Sequence, residues 1–291
     1  IALANGTANV FGTTNNDNIT GTATTAAALA ATTTNTITAD HIIADSSTTD
    51  ADVLTVTTST DFTATPTVVG IETINFTLES VTAGNAIYDV SVDNMAANTY
   101  NIDVNKVGSP VVQSIVSGVK TGATVAFTSD FSTAVTVNGK ADNEALTVTS
   151  SADTTTVNSA GTLTAATVTV SGATNTATGR TIASDSDAAF TATTTAADMT
   201  ITAAAATTVV ATSSGDIDAN TTDLTAATSV NLTAGDELTV GLAAAATATL
   251  SAKGTGTGGT TASIVEDSAT GTLTSVTLSG NGGAAQFNLT A

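Results

Sequence analysis

The chain has no cysteine and no tryptophan, and carries 2 prolines, 1 histidine and 5 basic side chains in 291 residues. Without cysteine there is no disulfide scaffold and no thiolate metal site, so any staple must be of another kind. Only 5 Lys and Arg stand against 25 Asp and Glu, a formal charge of −20. That balance excludes nucleic acid and anionic membrane as partners, because both are gripped by cationic side chains. No apolar run approaches the roughly 20 residues of a membrane-spanning helix, so no membrane insertion is expected. One histidine and no cysteine leave no ordinary nucleophile–base pair. The scarcity of aromatic residues, 3% of the chain, also removes the usual lining of a sugar-cleaving groove. A non-enzymatic role is expected.

What is present is Thr, Ala, Asp and β-branched apolar residues. Hydrophobic content is 41%, but much of it is Ala, and the large apolar residues stand singly between Thr and Ala. Such spacing suits a thin core, as in stacked β-coils, better than the thick core of a sphere. Val53–Thr57, Glu72–Thr77, Tyr88–Val92, Tyr100–Val104, Ala134–Val137, Ala145–Thr149, Ala166–Val170 and Ser275–Leu278 alternate apolar with polar residues. Period two with β-branched enrichment is the half-buried strand signature, and Gly, Asn, Asp or Ser separates the runs. The expected fold is all-β: an elongated β-solenoid or β-helix of stacked strands, with a sandwich-like first part as a variant. Ala203–Ala206 and Ala243–Ala246 read as tight coils with small inward residues, and Ala26–Ala31 as a loop or helical turn.

Gly161-Thr-Leu-Thr-Ala-Ala-Thr-Val-Thr-Val-Ser-Gly172 is echoed at 222–235 and again, shortened, at 271–280. The intervals are unequal, as in a degenerate solenoid. Composition shifts near Lys106, Pro110, Gln113 and Lys120, which places a soft boundary between an Asp-rich region, 1–108, and a Thr/Ala-rich region, 109–291. The chain opens on Ile1, as expected of a piece of a longer protein whose targeting signal lies elsewhere.

So many unpaired carboxylates repel one another unless something neutralises them. Ca²⁺, which prefers carboxylate and carbonyl oxygens, is the expected cofactor and staple. Gly12-Thr13-Thr14-Asn15-Asn16-Asp17-Asn18-Ile19-Thr20-Gly21 resembles the degenerate edge form of the calcium-binding nonapeptide of repeats-in-toxin (RTX) proteins. Gly allows the tight turn, Asn and Asp supply oxygens, and Ile points into a thin core. Asp45-Ser-Ser-Thr-Thr-Asp50-Ala-Asp52-Val-Leu54 looks like the same turn with its glycines replaced. Val69-Gly70-Ile71-Glu72-Thr73-Ile74-Asn75-Phe76 is similar to a strand motif of RTX-type bacterial surface-layer proteins. The three motifs cover about the first 80 residues, and composition extends the likeness onward. This resemblance implies type I export, calcium-dependent folding and self-assembly into an extracellular lattice on a Gram-negative cell. It also implies a separate anchoring region, not recognisable here, through which cell-surface polysaccharide would be met.

The candidate metal ligands are Asn16, Asp17, Asp50, Asp52 and Glu72 in the motifs, and Asp40 and Asp45, which flank His41. In the second region they are Asp142, Glu144, Asp216, Asp218 and Asp236, acids close enough in sequence to share a cation. Asp89, Asp93 and Asp103 alternate with apolar residues and are expected to face outward. Three other readings stay open. One is an extracellular adhesin or filament subunit built from the same kind of repeat. A second is an ice-binding solenoid, for which Thr191–Thr195 and Thr247–Thr249 supply fragments of a Thr ladder, although unequal repeats argue against a regular one. The third is a carbohydrate-active β-helix.

Overall fold

The computed structural model describes residues 9–11, 18–22, 42–45, 51–58, 61–63, 66–80, 86–106, 111–129, 134–140, 144–159, 163–170, 180–185, 188–195, 198–219, 223–242, 247–252, 260–265, 275–280 and 285–290. Every regular element among them is a strand. The first region contains β1 (Asn9–Phe11), β2 (Asn18–Thr22), β3 (Ile42–Ala44), β4 (Val53–Thr58), β5 (Thr67–Val69), β6 (Thr73–Ser80), β7 (Ala86–Ser91) and β8 (Thr99–Lys106). Next come β9 (Val111–Val119), β10 (Thr124–Ser129), β11 (Ala134–Gly139), β12 (Glu144–Ser150), β13 (Thr154–Ser159), β14 (Leu163–Val170), β15 (Arg180–Ser184) and β16 (Ala189–Thr194). The series ends with β17 (Met199–Thr202), β18 (Thr208–Ser213), β19 (Ile217–Ala219), β20 (Ser229–Ala234), β21 (Leu238–Gly241), β22 (Thr247–Ala252), β23 (Thr260–Val265), β24 (Ser275–Gly280) and β25 (Ala285–Thr290).

Each strand pairs with the one two places along the chain, never with its immediate successor. The even strands, β2 to β24, form a parallel sheet of 12 strands; the odd strands β7 to β25 form a second of 10, and β1, β3 and β5 a short third. Successive strands thus cross from one sheet to the other, and the chain winds as a β-solenoid. Parallel neighbours need a crossover connection, and here the crossover is the opposite strand and its two turns. The expected sandwich-like first part is built as this same parallel coil. Pairing also runs across the compositional boundary, β7 with β9 and β8 with β10.

Alternation in the sequence becomes alternation of burial, as in β4 and β11, where every second residue is buried. The inward columns of the even sheet carry the core. One runs Leu54, Ile74, Tyr100, Val125, Val148, Val168, Ala192, Ala211, Leu232 and Leu250, all buried. Phe76 meets Phe62 with ring centroids 5.1 Å apart in a tilted pair, a favoured aromatic geometry. Tyr100 is closed in, its hydroxyl donates to the Met95 carbonyl at 2.5 Å, and burial pushes its pKa up to about 12. The Ala203–Ala206 turn matches its sequence reading, with both end residues buried and the Ala206 N–H donating to the Ala203 carbonyl. Ala26–Ala31 and Ala243–Ala246 lie outside the described residues.

Two glycines are fixed by their surroundings. Gly118 has φ +81°, and a Cβ there would collide with Asp93 one coil away. A Cβ at Gly235 would collide with the Ser214 carbonyl, while its N–H donates to the Gly215 carbonyl at 2.9 Å.

Candidate functional site

Acids gather at the corners where the chain passes from one sheet to the other. In the first region Asp52 and Glu72, 20 residues apart, occupy the same corner of successive coils. Asp52 is fully buried just before β4; its N–H donates to Glu72 Oε2 at 3.0 Å, and its carbonyl accepts from the Thr73 N–H at 3.1 Å. Gly70, with φ 74°, makes the turn that leads through buried Ile71 to Glu72. Asp45 follows β3 and is also buried; its N–H donates to the Val69 carbonyl at 2.9 Å. Of the other candidates of this region, Asn16, Asp17, Asp40 and Asp50, with His41, lie outside the described residues. Asp89, Asp93 and Asp103 are exposed, as the alternation requires.

In the second region the fold regroups the acids that lie close in sequence. Asp216 and Asp218 have different surroundings: Asp216 is half-buried at the corner before β19, whereas Asp218 is exposed on the strand. Asp216 stacks instead between Asp198 of the preceding coil and Glu237 of the next. Its N–H donates to Asp198 Oδ1 at 3.0 Å, and its own Oδ1 accepts from the Glu237 N–H at 2.7 Å. Burial raises the Asp216 pKa, opposed by the Glu237 N–H and assisted by the charges of Asp198 and Asp236. Asp236 therefore belongs to this corner, and so does Asp198, which sequence spacing did not flag because its neighbours in the stack are about one coil away in the chain. Glu144 opens β12, and Asp142 lies outside the described residues. Among the described residues no three His, Asp or Glu side chains are grouped closely enough to hold a metal ion by themselves.

Three of the five basic residues bridge coils. Arg180, the sole arginine, is 1% exposed and ion-paired with Asp153; burial lowers its pKa. Lys120 donates to Asn98 Oδ1 at 2.9 Å and to the Ala96 carbonyl at 3.2 Å, and Lys140 donates to the Asp93 carbonyl. Both line a shallow cleft of about 360 Å³ with Val68, Asp93, Met95 and Gly118. Their ammonium groups thus tie neighbouring turns together along its wall.

The outer face of the even sheet corrects one expectation. Unequal repeat lengths argued against a regular Thr ladder, yet the strands pair with like positions in line. Thr149, Thr169, Thr193, Thr212 and Thr233 form one unbroken column. The turns absorb the differences in length. The three sequence repeats fall in β14, β20 and β24, all in this sheet.

No family model, curated protein or solved structure matches this chain.

Proposed function

We propose that this chain is a structural, non-enzymatic part of an extracellular bacterial surface layer of the RTX type, self-assembling with Ca²⁺ held at the corners of its coils. The observation that carries this reading is the stacking of acids at successive corners, Asp52 with Glu72 and Asp198 with Asp216 and Glu237, in a chain of charge −20. At the second of these corners the charges of Asp198 and Asp236 act against that of Asp216, a cost that a divalent cation relieves. Carboxylate and carbonyl oxygens are the donors that Ca²⁺ takes, six to eight at a time. Because no three acid side chains among the described residues are grouped closely enough to hold an ion by themselves, a bound ion would be completed by main-chain carbonyls, water or a second copy. In the last case calcium joins subunits. A parallel solenoid has a repeating lateral surface, so such contacts propagate into an ordered array.

The test is electron microscopy and thermal melting of the purified chain with millimolar calcium and with excess EDTA. Calcium-dependent sheets, lost together with a fall in Tm on chelation, are the expected result. Calcium-dependent fibres would favour the adhesin or filament reading. A melting curve and an assembly state both indifferent to EDTA would reject calcium as the staple.

A further inference from the structure

We infer that the outer face of the even sheet from β12 to β24 is a binding surface for ice. Two outward columns run side by side through these strands. One is Thr147, Thr167, Thr191, Val210, Asn231, Thr249 and Thr277; the other, two residues along each strand, is Thr149, Thr169, Thr193, Thr212, Thr233 and Ser251. Thr147, Thr167, Thr212, Thr249 and Thr277 are exposed, and Thr149, Thr169, Thr191, Thr193 and Thr233 half-buried. Strand spacing sets the rungs about 4.8 Å apart, and alternate residues along a strand are about 6.7 Å apart. The result is a two-dimensional grid of hydroxyl and methyl groups, interrupted in the first column by the uncharged Val210 and Asn231, whose repeats are close to the oxygen spacings on the surface of hexagonal ice.

Three features fit that ligand. First, neither column contains a charged residue, in a chain of charge −20; a charge would orient its own hydration shell and break the lattice of water. Second, β-branched Thr is stiff at χ1, so the grid loses little side-chain entropy when a lattice forms on it. Third, the columns hold their register although unequal lengths of chain separate their members, so Thr recurs by position in the sheet and not by sequence period. The odd sheet offers no equal: its outward column Thr154, Thr181, Thr200 is broken by Asp218 before resuming at Thr239. A neutral grid on an open sheet face suits an extended lattice better than a small solute. The inference does not depend on the surface-layer reading.

The test is nanolitre osmometry and ice-affinity partition of the purified full chain, with circular dichroism to verify folding. Thermal hysteresis that grows with protein concentration, with faceted crystals, is the expected result. Thr169→Lys with Thr193→Lys, which plants charge in the middle of the grid, should abolish it. Thr181→Lys with Thr200→Lys, on the odd sheet, should leave it intact. Should the even-face lysines unfold the chain, Thr169→Ser with Thr193→Ser removes only methyls and should reduce the hysteresis. Absence of hysteresis in the parent chain overturns the inference, as does equal loss from both lysine pairs. Even-face lysines that dissociate a dimer, in a chain without ice activity, would assign the face to a second copy and overturn it too.

Discussion

The coils built from β4 to β10 and those built from β16 to β22 share one backbone plan and differ in what fills it. In the early coils an inward column of the even sheet reads Val56, Phe76, Ile102 and Phe127; in the late coils the same column reads Thr194, Ser213, Ala234 and Ala252. All are buried. Thr194 and Ser213 are joined by a buried hydroxyl–hydroxyl bond of 3.0 Å. Backbone pairing, which is indifferent to side chains, sets the stacking of coils along the axis. Side-chain volume then sets how much apolar surface each coil removes from water. Early coils are held chiefly by apolar burial, while late coils depend more on the ladder and on local hydroxyl bonds.

This difference is testable by removing what each region relies on. Phe76→Ala should have the largest effect, about 3–5 kcal/mol in chemical denaturation, because it empties a site shared with Phe62. In a stack of coils the loss should also appear as faster amide exchange in β4 and β8, the immediate neighbours of β6. Arg180→Ala, between the two regions, should cost a similar 3–5 kcal/mol by stranding Asp153 beside a buried void. Arg180→Met with Asp153→Asn should recover most of that, since a buried pair replaced whole is far less costly than one broken. In the late coils Ser213→Ala should cost less, about 1–3 kcal/mol, through the partners it leaves, Thr194 and the Gly215 N–H.

A smaller change should run the other way. Thr155 is fully buried in β13 with its hydroxyl unpaired, and Thr155→Val keeps the shape while removing the desolvated group. A gain of about 1 kcal/mol is expected in the same denaturation assay. The smallest effect concerns Asp216. Its pKa is raised in the fold, so the neutral form is favoured there, and its contribution is lost as pH rises through the folded value. In EDTA, Asp216→Asn should therefore raise Tm slightly at neutral pH. The difference from the parent should vanish in acid, where Asp216 is itself protonated. A substitution that lowers Tm when calcium is supplied would mark Asp216 as a ligand.

Legibility followed the range of the interaction that each feature needs. Strand positions were clear because alternation is local: the run Val53–Thr57 is β4, and Tyr100–Val104 lies within β8. Glu72 and Asp52 were both singled out from motifs, but their meeting was not, because it depends on coil length. Asp198 was missed, and the sequence pair Asp216/Asp218 was misleading, since Asp216 sits at the corner and bonds to Asp198 and Glu237 of the neighbouring coils while Asp218 stays exposed on β19. The burial of Arg180 gave no signal either, because only the register opposite Asp153 makes an inward arginine tolerable.

What the sequence determined by itself is the all-β character, the residues that face inward on each strand, and a surface dominated by negative charge. These follow from period-two patterning and composition, which any local segment carries. The tertiary structure alone decided that each strand skips its successor to pair with the next but one. It also decided that acids far apart in the chain stack at one corner, and that unequal repeats deliver Thr to common columns. The physical reason is that parallel register is fixed by hydrogen bonds between coils, and turns of variable length can satisfy it without leaving a period in the chain.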